Sequence, residues 1–216
     1  MKIILIIIIS LFTITACNNS QINTVESSTK AEKVILALGD SLTAGYGLPI
    51  NESYPSQLES KLKENGYIYR VQNAGVSRDT SAGLLARMDW ILEGELPELA
   101  ILCIGANDAF QGKDTTEIEN NIRTIIEKLR SKNIPILLAG MKTPMNLGGE
   151  YGRKYEAIFP SLAKEYNLSY MDFFLQGVAL KAHLNQDDRI HPTKEGYTII
   201  VENIYTHLKK NNLIRK

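Results

Sequence analysis

The chain has 216 residues, 44% hydrophobic and 22% charged. That is an ordinary globular composition, which excludes collagen-like, coiled-coil and wholly disordered chains and leaves room for one domain with at most an appendage. Its 24 basic residues are matched by 24 acidic ones, so no cationic excess points to a nucleic-acid partner, and two cysteines, Cys17 and Cys103, are too few for a disulfide scaffold.

Met1 and Lys2 precede an apolar run from Ile3 to Ile14, interrupted only by Ser10 and Thr13, and the small residues Thr15 and Ala16 follow. Residues 1–16 therefore read as a signal peptide, since about a dozen apolar residues are too few to span a hydrocarbon core that takes roughly 20. Ile14-Thr15-Ala16-Cys17 resembles the lipobox of bacterial lipoproteins. The resemblance implies that Cys17 is lipidated as the first residue of the mature chain, which would be exported and held on the periplasmic or cell-surface side of a bacterial membrane. Loss of residues 1–16 removes one lysine, leaving 23 basic against 24 acidic residues, so anchoring would rest on acyl chains rather than charge. Residues 17–33 lack aromatics and any sustained period, the composition of a flexible tether. Residues 34–216 are expected to form the single folded domain.

From residue 34, short apolar runs alternate with segments of helical period. Strands are expected at 34–39, 67–75, 98–105, 134–141 and 168–173. Helices are expected at 55–66, 80–94, 115–133, 153–166 and 193–210, the third carrying Ile118, Ile122, Ile125, Ile126 and Leu129 on one stripe. The alternation predicts an α/β fold, a parallel sheet covered by helices on both faces. In such sheets ligand chemistry gathers at the carboxyl ends of the strands.

Those ends are Gly39-Asp40-Ser41-Leu42, Asn73-Ala74-Gly75 and Gly105-Ala106-Asn107-Asp108, and Asp187-Asp188-Arg189-Ile190-His191-Pro192 precedes the last helix. A serine becomes a nucleophile when a histidine takes its proton and a carboxylate fixes the tautomer of that histidine. Ser41 is the candidate nucleophile, His191 the base and Asp188, three residues before it, the orienter; Asp187 competes for the last role. His207 falls on the terminal helix, and Leu180 stands three residues before His183. The backbone N–H groups of Ser41 and Gly75 and the carboxamide of Asn107 are candidate oxyanion donors. Asp40 and Asp108 read as structural ties, and Cys103 as an inert core residue.

The blocks GDSL (39–42), NAG (73–75), GAND (105–108) and DRIH (188–191) resemble, in order, the four blocks of the SGNH hydrolase, or GDSL esterase/lipase, family. The likeness covers residues 34–210 and is nearest to the bacterial thioesterase I, lysophospholipase L1 and arylesterase branch. It implies a three-layer α/β/α sandwich around a five-stranded parallel sheet, in the flavodoxin-like arrangement, and an enzyme without metal or organic cofactor. It also implies Ser41, Asp188 and His191 as triad and Ser41, Gly75 and Asn107 as oxyanion hole. Two departures stand out: relatives often have Gly-Asp-Thr where this chain has Arg78-Asp79-Thr80, and Gly-Gly-Asn-Asp where it has Gly105-Ala106-Asn107-Asp108. Arg78 would add a cation near the mouth of the site and Ala106 a methyl group beside the hole.

The function expected is hydrolysis of carboxylic esters or thioesters (acyl thioesters, lysophospholipids or aryl esters) by a monomer acting on a small acyl ester or lipid. A glycan O-acetyl esterase, or a non-catalytic lipoprotein binding lipid or glycan on the same scaffold, is the alternative. A nucleotide binder would use GDSLTAGYG (39–47) as its phosphate cradle, but it leaves Asp188 and His191 without a role, and the chain has neither a Walker loop nor a G-x-G-x-x-G fingerprint. A metal held by Asp187, Asp188 and His191 would lack a second ligand cluster. Phe110, Met141, Met145 and Leu147 are candidates for an acyl groove, with segments 109–114 and 142–152 as its wall or lid.

Overall fold

The computed structural model describes residues 32–143 and 149–216. Residues 1–16, read above as a signal peptide, Cys17 and most of the segment read as a tether lie outside the described residues, as do Met145 and Leu147. Strands β1 (Lys33–Gly39), β2 (Tyr69–Gly75), β3 (Leu99–Cys103), β4 (Ile136–Ala139) and β5 (Ser169–Met171) form one sheet in the order β2-β1-β3-β4-β5, and every pairing is parallel. All five residues of β3 are buried, as a central strand covered on both faces requires.

Helices α2 (Tyr54–Glu64), α3 (Ser81–Ile91), α5 (Thr115–Ser131), α6 (Gly149–Glu165) and α7 (Lys194–Lys210) cover the sheet. Right-handed crossovers dictate their sides. The chain steps one way from β1 to β2 and the other way through β3, β4 and β5, so α2 falls on one face and α3, α5 and α6 on the other. The packing agrees, α2 against α7 on one side and α5 between α3 and α6 on the other. The apolar stripe read from the sequence is the buried face of α5, all five of its members covered. Each such side chain contributes about 1.5–3 kcal/mol by leaving water.

Two short helices were not expected: α1 (Ser41–Ala44) and α4 (Ala106–Phe110). Four or five residues cannot display a helical period, and each begins within three residues of a strand end. The register sets Gly39 level with Gly75 on one side and Cys103 on the other, so the segments following β1, β2 and β3 emerge together. The strand order reverses between β1 and β3, and that crevice is where a parallel sheet binds its ligands.

Candidate active site

Ser41 is placed by the abrupt turn after β1. A methyl group at Gly39 would overlap the Thr43 side chain and the Cys103 carbonyl oxygen, so only glycine lets α1 start this close to β3. Asp40 caps α1, its Oδ1 accepting the Leu42 N–H at 3.0 Å, and the buried Tyr197 hydroxyl donates to the Leu42 carbonyl at 2.9 Å, tying α1 to α7. Ser41, the first residue of α1, is left half-buried and facing the crevice.

The base arrives on a loop closed by its own backbone. Asn185 bridges Pro192 in antiparallel fashion, and the Gln186 N–H donates to the His191 carbonyl at 2.7 Å. The Gln186 carboxamide then donates to the Tyr46 and Pro192 carbonyls at 2.8 and 3.0 Å, fastening the loop to the segment that follows α1. Within it, Asp188 Oδ1 accepts the backbone N–H groups of Ile190 and His191, each at 2.9 Å. Asp188 Oδ2 stands 2.6 Å from His191 Nδ1, and His191 Nε2 stands 2.9 Å from Ser41 Oγ. Partial burial pushes the Asp188 carboxyl up, but the hydrogen bonds from His191 and Ile190 outweigh it and hold the group down at about 2. An ionised Asp188 accepts from Nδ1–H, which leaves the bare lone pair on Nε2, toward the Ser41 hydroxyl. Of the two candidate orienters, this bond goes to Asp188. The Tyr46 ring lies 4.6 Å from the imidazole between centroids, a neighbour that the sequence did not reveal.

Of the three candidate oxyanion donors, the structure brings two to the crevice. Ser41 and Asn107 line the crevice, but Gly75 does not, and its N–H is taken by Asn73 Oδ1 at 2.9 Å. The glycine at 75 has another cause: a methyl group there would overlap the backbone of Thr43 and Ala44. The residue that β2 delivers to the crevice is Arg78. It occupies the third position of a turn closed by the Asp79 N–H on the Val76 carbonyl at 3.1 Å, with φ at 69°, the geometry in which type II turns favour glycine. Among the described residues no acceptor takes the N–H of Ser41 or of Arg78. Asn107 Nδ2 donates to the Asp79 carbonyl at 2.9 Å and stands 3.4 Å from Asp40 Oδ2, so one of its two N–H groups is only loosely engaged.

Carboxylates brace this arrangement. Asp79 pairs with Arg87 at 2.8 Å, and Arg87 reaches the Gly39 carbonyl at 3.2 Å. Asp108 accepts the Ser81 N–H at 2.8 Å and its hydroxyl at 2.6 Å, holding the start of α3 beside α4. Asp40 is 1% exposed, and burial, assisted by Asp79 and Asp108, raises its carboxyl to about 7 against the hydrogen bond from Leu42.

The crevice opens into a cleft of about 750 Å³. Phe110 and Met141, two of the four residues named for an acyl groove, line it with Phe173, Leu175 and Leu180, which the sequence did not single out. Ala106 lines it too. Cys103 is buried, its sulfur 3.9 Å from that of Met141. Among the described residues no group of three or more His, Cys, Asp or Glu side chains is placed to hold a metal ion.

Residues 37–199 match the family model described as GDSL-like Lipase/Acylhydrolase. The chain is 33% identical over 179 residues to Esterase TesA of Pseudomonas aeruginosa, covering 83% of this chain and 89% of that protein. It is 34% identical over 172 residues to Thioesterase 1/protease 1/lysophospholipase L1 of Escherichia coli strain K12, covering 80% and 81%. The solved structure of AlinE4, described as a SGNH-hydrolase family esterase, superposes with a TM-score of 0.72 at 43% identity, over 85% of this chain and 98% of that one.

Proposed function

Since the chain belongs to the GDSL-like lipase/acylhydrolase family, we infer that it is a serine esterase cleaving carboxylic esters or thioesters through an acyl-enzyme intermediate. One observation carries this: Ser41 Oγ, His191 Nε2, His191 Nδ1 and Asp188 Oδ2 form a continuous hydrogen-bonded chain, at 2.9 and 2.6 Å, on the wall of an open cleft. Ser41 Oγ attacks the ester carbonyl carbon while its proton passes to His191 Nε2, and Asp188 stabilises the imidazolium. The negative oxygen is met by the Ser41 N–H, the Arg78 N–H and the Asn107 carboxamide, with Arg78 in the place the sequence assigned to Gly75. Collapse of the tetrahedral adduct releases the alcohol or thiol with the proton from His191. Water, deprotonated by the same nitrogen, then frees the acid and returns the hydrogen to Ser41.

The acyl chain is assigned to the apolar floor of the cleft, where Met141 is buried and Phe110 half exposed. Rates on p-nitrophenyl esters from acetate to laurate test both the activity and the floor. Met141→Asp is expected to lower kcat/KM on the octanoate about tenfold or more while changing the acetate less than threefold, because a buried charge opposes only the chain long enough to reach it. Equal losses on both esters would remove Met141 from the acyl site.

The same enzyme is proposed to be exported and anchored through Cys17, on the strength of residues 1–17 alone. Labelled fatty acid is expected to enter the wild-type protein in bacterial cells and not Cys17→Ser; equal labelling of the two would end the anchor assignment.

A further inference from the structure

Six non-glycine residues among those described have φ in the left-handed region: Arg78, Asn133, Asn167, Leu180, Arg189 and Asn212. The three asparagines follow the ends of α5, α6 and α7, where asparagine is a common helix terminator. The other three, a leucine and two arginines, all line the cleft. A residue with a Cβ is disfavoured in this conformation, and such strain concentrates where a surrounding structure holds it for function.

Both guanidinium groups lie on exposed residues. Arg70, Arg87 and Arg123 each pair with a carboxylate, whereas among the described residues Arg78, Arg130, Arg153, Arg189 and Arg215 form no ion pair, and of those five only Arg78 and Arg189 line the cleft. Asp188, the exposed acid on the cleft wall, is already committed to His191 and two backbone N–H groups. Lys142, which also lines the cleft, is taken by Asp172 at 3.1 Å. Of the other residues lining the cleft, Tyr46, Phe110, Leu180 and Ile190 are apolar and between 43% and 90% exposed. Two arginines that line the same cleft as Ser41, with no ion-pair partner among the described residues, suit an anion on the substrate. With the acyl chain on the apolar floor, that anion belongs to the leaving alcohol, which departs through the mouth.

We propose that Arg78 and Arg189 are specificity-determining residues that select esters whose leaving alcohol carries an anionic group, phosphate being the probe of choice. The proposal rests on the serine-esterase assignment above. Two soluble substrates with the same ester bond separate the two claims: 1-butyrylglycerol and 1-butyrylglycerol 3-phosphate. Full-length enzyme is expected to show kcat/KM about tenfold higher on the phosphate ester, expressed in KM and diminished by 0.5 M sodium chloride, as an ionic contact at an exposed mouth must be. Arg78→Ala and Arg189→Ala are each expected to lower the ratio of the two kcat/KM values about threefold or more, the double variant to bring it near one, and Arg78→Lys to retain part of it. The ratio cancels any loss common to both substrates, including displacement of the Arg78 N–H. Arg78→Gly and Arg189→Gly are expected to lose selectivity without lowering the thermal midpoint, since glycine accepts this backbone freely, and a purely structural role would predict the reverse. A wild-type ratio near one, or a ratio untouched in the double variant, would overturn the proposal while leaving the esterase intact. Failure of Ser41-dependent cleavage on both esters would instead strike the esterase assignment itself and the proposal with it.

Discussion

Ser41→Ala is expected to lower kcat on a p-nitrophenyl ester by roughly 10⁴-fold or more, with His191→Ala similar in size and the double variant no slower than either single one. The expectation follows from the geometry: Ser41 Oγ and His191 Nε2 share one hydrogen bond, so removal of either group halts the same proton transfer. Asp188→Asn should cost about 10⁴-fold for a different reason. The amide can donate to Nδ1, which favours the tautomer that places the proton on Nε2, where Ser41 needs an acceptor. Neither Ser41 nor His191 belongs to the buried core, so unfolding free energies from denaturant titration should stay within about 0.5 kcal/mol of wild type. Losses that multiplied in the double variant would show that the two residues do not act as one unit.

The second large effect concerns stability. The Asp40 carboxyl is held at about 7 in the folded protein, against an ordinary value of 3.8, because it is buried. Between those values the unfolded chain has released a proton that the folded chain keeps, so protonation favours the folded state and this contribution is lost as the pH rises. The loss is about 1.4 kcal/mol per pH unit, about 4 kcal/mol across the window, and it is complete above pH 7. Asp40→Asn preserves an oxygen for the Leu42 N–H and has no proton to lose. Relative to wild type it should gain stability steadily from pH 4 to pH 7.5, read from urea midpoints. A constant difference between the two proteins would mean that the Asp40 carboxyl does not titrate in this range.

The strands and long helices were readable in the sequence because their burial is large and repetitive. Strand β3 is apolar at every position and buried at every position, and α5 shows its stripe over 17 residues. Element ends were less readable, since they depend on single bonds: α6 begins at Gly149, four residues before the expected start, inside a segment rich in glycine. The Ser41, Asp188 and His191 constellation was legible through residue type and spacing. Gly75 was misread because a glycine at a strand end has two physical explanations, an open N–H or a close backbone approach, and only the structure shows Thr43 and Ala44 against it. The better signal lay three residues on, where relatives often carry the glycine of Gly-Asp-Thr. Arg78 holds that backbone shape with φ at 69°, and a bulky residue in the place of glycine hid it.

The bond between Ser41 and His191 joins positions 150 residues apart, and the loop that brings the base is fastened at one end to the segment after α1 and at the other to α7. A ribosome therefore makes the nucleophile 150 residues before its activating partner. Until His191 has been made and α7 docks, the growing polypeptide carries an ordinary alcohol at Ser41 rather than a hydrolase.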